Sequence, residues 1–196
     1  MEDNFDALEV IARTRGKVIM DDVPTGGMLF PLWGWLTAGF YTLAFILWQL
    51  LHQEWCLWLW TGIPVIGIPL MILIVRKDHE RAHIRTRGSR LILDYWILAA
   101  VVFGLGGCLF GIFGLYEVAE DPLICMLIGI GAFITGENVR FRPMIAGGIL
   151  GVAIALGAFL LQGDLWVWQM PAVALTAVAA LIVPGHLFER KVKNGV

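Results

Sequence analysis

Asp94 is a carboxylate set inside a long apolar run, with Tyr95 beside it. Desolvating such a charge is costly, so an acid so placed is a functional candidate by default. In the arrangement derived below, Glu137, Asn138, Arg140, Arg142 and His186 share its depth. Together they outline a polar pocket suited to an ion, a proton or a polar headgroup. The competing reading is a structural salt bridge near an interface, helped by a helix N-terminus that favours aspartate.

Other reactive side chains lead less far. His79 and His83 stand four apart in Arg76–Arg90, a stretch dense in cations. On a helix the two imidazoles share a face, as metal ligands do. Two imidazoles make a poor metal site, and a solvated basic loop against anionic headgroups is expected instead. His52 has no partner in sequence and reads as a surface histidine. Ser89 is the sole serine and lies in that basic loop, which removes an intramembrane serine nucleophile. His-Glu-x-x-His, paired Cys-x-x-Cys and phosphate-loop patterns are absent from the sequence. Cys56, Cys108 and Cys125 form no motif and read as small hydrophobes, with Cys56 near the outer surface. No catalytic residue, metal or cofactor is expected.

The elements that position these residues follow from composition. Of 196 residues, 59% are hydrophobic and 15% charged, where soluble domains average about 25% charged. Mean hydropathy is +0.78. One soluble domain of this size cannot hide that much apolar side chain, and disorder needs the opposite composition. A net charge of −2 with no basic domain argues against nucleic acid as a partner. The class left is an all-α, polytopic membrane protein.

Six apolar segments approach the roughly 20 residues that cross a bilayer: Met28–Leu51, Trp55–Val75, Leu91–Tyr116, Pro122–Gly136, Pro143–Leu161 and Leu165–Phe188. The fourth is short, about 22 Å at 1.5 Å per residue, unless it extends through Val139 and Phe141 by snorkelling its charged neighbours, and Asp121–Pro122 reads as an N-cap followed by proline at the first helical position. All 14 Lys and Arg fall before the first segment, between the second and third, between the fourth and fifth, or after the sixth. The remaining connections carry acids: Glu54, then Glu117, Glu120 and Asp121, then Asp164. The positive-inside rule then places both termini in the cytoplasm, with the helices as three antiparallel hairpins. Trp48, Trp55, Trp58, Trp60, Trp166 and Trp168 fall near the outer interface and Trp33, Trp35 and Trp96 near the inner one, where indoles anchor.

Residues 1–27 form a cytoplasmic segment, 28–188 the transmembrane domain and 189–196 a cytoplasmic tail. Within the first, Phe5, Leu8, Ile11, Ala12, Val18 and Ile19 space like a short amphipathic helix on the cytoplasmic face. Its acidic start is unlike a signal peptide. Glycines crowd the third to fifth segments, with Gly107/Gly111 and Gly147/Gly151 as small-xxx-small pairs, so these segments are expected to pack tightly. Pro64, Pro69 and Pro171 are expected to kink the second and sixth. Those two segments match at an offset of 108, through Leu57, Trp58, Trp60, Val65, Leu73, Ile74 and Val75. The match relates spans running the same way and does not support an inverted-repeat transporter.

Ala7-Leu8-Glu9-Val10-Ile11, Leu32-Trp33-Gly34-Trp35-Leu36 and Val183-Pro184-Gly185-His186-Leu187 together resemble a group of small bacterial inner-membrane proteins of no known activity. The resemblance implies a six-helix membrane fold and no substrate. Sparse intramembrane polarity points to a non-enzymatic sensor, scaffold or regulator with both termini cytoplasmic. The alternative is a small transporter or channel for an ion or small solute, with a cytoplasm-facing polar pocket around Asp94. Expected partners are the lipid bilayer, anionic headgroups at the cytoplasmic face, a second copy of the chain and a cytoplasmic protein.

Overall fold

The computed structural model describes residues 28–78, 87–113 and 120–193. The expected amphipathic segment 1–27 and the His79–His83 pair lie outside the described residues. Among those described there is no strand. The helices are α1 (Leu29–Leu51), α2 (Gly62–Asp78), α3 (Arg87–Phe113), α4 (Glu120–Val139), α5 (Arg142–Ala158), α6 (Gln169–Ala177) and α7 (Val183–Lys193). Short 3-10 turns, Glu54–Thr61 and Gly163–Trp168, lead into α2 and α6, and a π turn, Val178–Ile182, joins α6 to α7.

Among the described residues, three stretches are long and apolar enough to cross a membrane: Leu29–Leu51, Glu120–Val139 and the continuous Gly163–Val192. The apolar parts of the other helices are shorter. The fourth segment is therefore not the short one. It starts at Glu120, so Asp121 and Pro122 lie inside its first turn instead of capping it, and it runs on to Val139. Its 20 residues span about 30 Å.

Each helix ends for a local reason. At the end of α1, His52 takes a left-handed conformation and its amide bonds the Trp48 carbonyl at 2.9 Å. At the end of α4, Arg140 is left-handed at φ 53. There the Phe141 amide bonds Gly136 at 2.8 Å and the Arg140 amide bonds Glu137 at 3.2 Å. That pairing satisfies the last carbonyls as a Schellman turn does. Beyond α5, Gln169, 2% exposed, sends its side-chain amide to the Leu161 carbonyl and ties the loop to α6.

Of the expected kinking prolines, only Pro69 is interior to a helix. Pro64 and Pro171 sit in the first turns of α2 and α6, each just after the 3-10 turn that leads into its helix. The irregularity of the last helix lies instead at the π turn, just before Pro184. Pro184 has no N–H to give the Ala180 carbonyl, so the regular ladder cannot continue there.

The centre is built from small residues. An added Cβ at Gly129 would lie 2.7 Å from the Val152 nitrogen, and one at Gly136 2.7 Å from that of Ile145. At Gly148 it would meet the Phe133 nitrogen at 2.5 Å, and at Gly147 the Ala179 carbonyl. These are backbone-to-backbone contacts, and α4 and α5 share the most extensive interface of the described helices. In an apolar medium, close approach of backbones supplies the dispersion attraction that the hydrophobic effect does not. Ala38, Ala44, Ala155, Ala177 and Ala180 continue this packing onto α1 and the α6–α7 rod. On α3, nothing lies within 4 Å of a Cβ at Gly104, and the packing at the Gly107/Gly111 pair lies outside the described residues. The tight packing expected of the third segment therefore fails at Gly104 and holds for Gly129–Gly151. Leu98 and Leu105 on α3, like Val65 and Leu73 on α2, are more than 60% exposed. Faces so apolar suit lipid rather than water.

Candidate functional site

Among the described residues, no ion pair or side-chain hydrogen bond links Asp94 to the residues that sequence groups with it. On α3, Tyr95 and Trp96 face α4. The Tyr95 hydroxyl donates to the Leu127 carbonyl at 2.6 Å and the Trp96 indole N–H to Thr135 Oγ1 at 3.2 Å. Thr135 passes its own proton to the Gly131 carbonyl at 2.7 Å. A Cβ at Gly131 would sit 2.5 Å from Tyr95 Cε1 and 2.9 Å from Trp96 Cζ2, so glycine makes room for both rings. Successive helical residues point about 100° apart. With Tyr95 and Trp96 turned inward, Asp94 is swung outward and is exposed.

The other members sit on the end of α4, the turn after it, the start of α5 and α7. Glu137, Arg140 and Arg142 are exposed around the turn between α4 and α5, and the Asn138 amide is spent on the Ile134 carbonyl of its own helix. His186, on α7, accepts from the Trp35 indole N–H at 3.2 Å, and its Nδ1 stands 3.8 Å from a Glu189 oxygen. Among the described residues no salt bridge joins Asp94 to Arg140, Arg142 or His186. Cys56 and Cys125 are free thiols, both fully buried and packed as small hydrophobes.

A different group converges where α1, α4 and α6 meet with the two 3-10 turns. A small cavity of about 40 Å³ is bounded there by Glu120 and Asp121 on one side. Phe40, Tyr41, Trp60 and Trp166 supply its aromatic walls, and Ala44 and Met170 complete it. Both carboxylates stand in the first turn of α4, where unpaired backbone N–H groups and the helix dipole favour anions. Tyr41, only 6% exposed, lines the cavity together with Asp121. Further rings brace this end: Trp48 on Trp166 at 5.4 Å, Phe45 on Trp168 at 5.4 Å, and Trp60 on Phe103 at 5.3 Å.

Chemically, the pocket concentrates negative charge and π faces. It holds no nucleophile–base pair, and among the described residues no three His, Cys, Asp or Glu side chains cluster as metal ligands. Sequence reading treats Glu120 and Asp121 as two of several scattered acids. The signal available in sequence was their adjacency, with no Lys or Arg in any acidic connection to neutralise them. What sequence could not supply was Tyr41 across the gap.

Among the described residues, fold and pocket together define an all-helical protein with three helices able to cross a membrane and an acidic, aromatic-walled cavity at one end. No family model, curated protein or solved structure matches this chain.

Proposed function

We propose that the chain is a six-span protein of the bacterial inner membrane, built as three antiparallel hairpins with both termini cytoplasmic. It works as a non-enzymatic sensor or regulator. The cavity at Glu120 and Asp121 faces outward, and the N-terminal segment and basic loops meet anionic headgroups and a protein partner inside. The absence of Lys and Arg from the Glu120 end supports this direction.

The observation that carries the reading is the interior between the two ends. Its buried polar side chains, among the described residues, are Thr37, Thr135, Gln169 and Thr176. Thr135 and Gln169 are satisfied on backbone carbonyls. Direct glycine contacts close the α4–α5 seam. A translocation path asks for a polar or ionisable lining, and Asp94 stands outside this interior. The test is ion conductance and solute uptake in liposomes carrying the purified protein. The sensor reading expects values equal to those of empty liposomes. A conductance that appears with the protein and vanishes in Asp94→Asn would replace it with the transporter reading.

A further inference from the structure

We propose that the cavity at the N-terminus of α4 is a binding site for a small primary ammonium group, held by Glu120 and Asp121 and walled by aromatic rings. The inference deepens the sensor reading by naming the ligand class. It rests on that reading only for the side from which the ligand enters.

Charge is the first ground. Two adjacent carboxylates line the cavity, and among the described residues neither forms a salt bridge. Asp121 lines the cavity with Tyr41. Glu120, half-buried, lines the cavity without a hydrogen-bond donor among the described residues. A helix N-terminus offsets part of one negative charge and leaves the second to be matched.

The walls decide which cation. A divalent metal needs about six oxygen ligands, which two carboxylates and a phenol do not furnish. Phe40, Trp60 and Trp166 instead offer π faces, which attract organic cations and best reward them where water is excluded. Acceptors at one side and rings at the other suit a group with N–H donors and a short carbon stem. A fully methylated nitrogen could use only the rings. Size agrees: one water needs about 10–15 Å³, so the cavity's 40 Å³ takes a nitrogen and one or two carbons.

That chemistry has two sources at a membrane surface, a free small amine or the aminoethyl headgroup of a phospholipid. The full-length protein in non-ionic detergent is titrated with ethylammonium chloride by calorimetry, with tetramethylammonium chloride as control. Saturable ethylammonium binding is expected, at least about tenfold tighter than tetramethylammonium and weakened about tenfold or more by Glu120→Gln. Trp60→Leu is expected to weaken it by about threefold or more. Glu120 makes no hydrogen bond among the described residues, so Glu120→Gln is expected to keep the fold and decides the matter even where Asp121→Asn misfolds. Native mass spectrometry of protein from membranes separates the sources. Retained phosphatidylethanolamine that Glu120→Gln loses assigns the lipid headgroup, and ethylammonium binding without such retention assigns a free amine. Absence of both kinds of binding in the folded protein overturns the proposal, as does binding indifferent to Glu120→Gln. Neither result depends on orientation in the membrane, so a reversed topology and an empty pocket are separate failures.

Discussion

The two ends of the molecule treat their carboxylates in opposite ways. At one end Asp94 is a lone acid on α3, exposed and without an ion-pair partner among the described residues. At the other, Glu120 and Asp121 are drawn into a cavity among aromatic rings and a buried tyrosine. The lesson is that the depth of a charge in an apolar sequence does not make a site. The helix must also be rotated so that neighbours can answer it. Tyr95 and Trp96 fix the rotation of α3 and spend its polar contacts on α4, which leaves Asp94 on the outside.

The largest effect on this contrast comes from breaking that rotation. Gly131→Val puts side chain where the Tyr95 and Trp96 rings now lie. It should cost about 1–3 kcal/mol, as overpacking does, and release α3. Thermal unfolding in detergent reads the loss, and an unchanged midpoint would mean that these rings do not hold α3. Next, Trp96→Phe removes the bond to Thr135 but keeps a ring against Phe30. A loss of about 1 kcal/mol is expected, without any change at the Glu120 cavity. Arg140→Gly works in the other direction. A non-glycine residue pays about 1–2 kcal/mol for a left-handed conformation, so relieving φ 53 should raise the unfolding midpoint if the exposed arginine contributes nothing else. Smallest of all, Asp94→Asn should shift stability by no more than about 0.5 kcal/mol and leave ethylammonium binding unchanged. A large loss in either would return Asp94 to the centre of the account.

Helix placement was legible in the sequence because it depends on local apolar content. Segments chosen as Met28–Leu51 and Leu165–Phe188 fall within a residue or a few of the helical stretches Leu29–Leu51 and Gly163–Val192. What depends on neighbours was not legible. Glycine density marked both α3 and the α4–α5 pair, yet Gly129 and Gly148 meet backbone atoms while Gly104 meets nothing. Composition gives a helix its small residues, and only the partner's register turns them into an interface. Proline gave the same lesson: Pro64 and Pro171 sit in first turns, just after 3-10 turns, and the π turn before Pro184 carries the irregularity. The Glu120–Asp121 pair was visible as sequence, but its pocket requires Tyr41 from α1, Trp60 from the turn before α2 and Trp166 from the turn before α6. Residues so far apart along the chain share no local signal.

We propose that the two regions lie on opposite sides of a membrane, which is open to direct test. Single cysteines at Gln53, Asp164 and Arg140, each exposed, can be introduced with the native cysteines replaced by alanine. They are then probed with a membrane-impermeant maleimide on spheroplasts. The account predicts labelling of positions 53 and 164 in intact spheroplasts, and of position 140 only after permeabilisation. Labelling of position 140 in intact spheroplasts, with 53 and 164 protected, would contradict it.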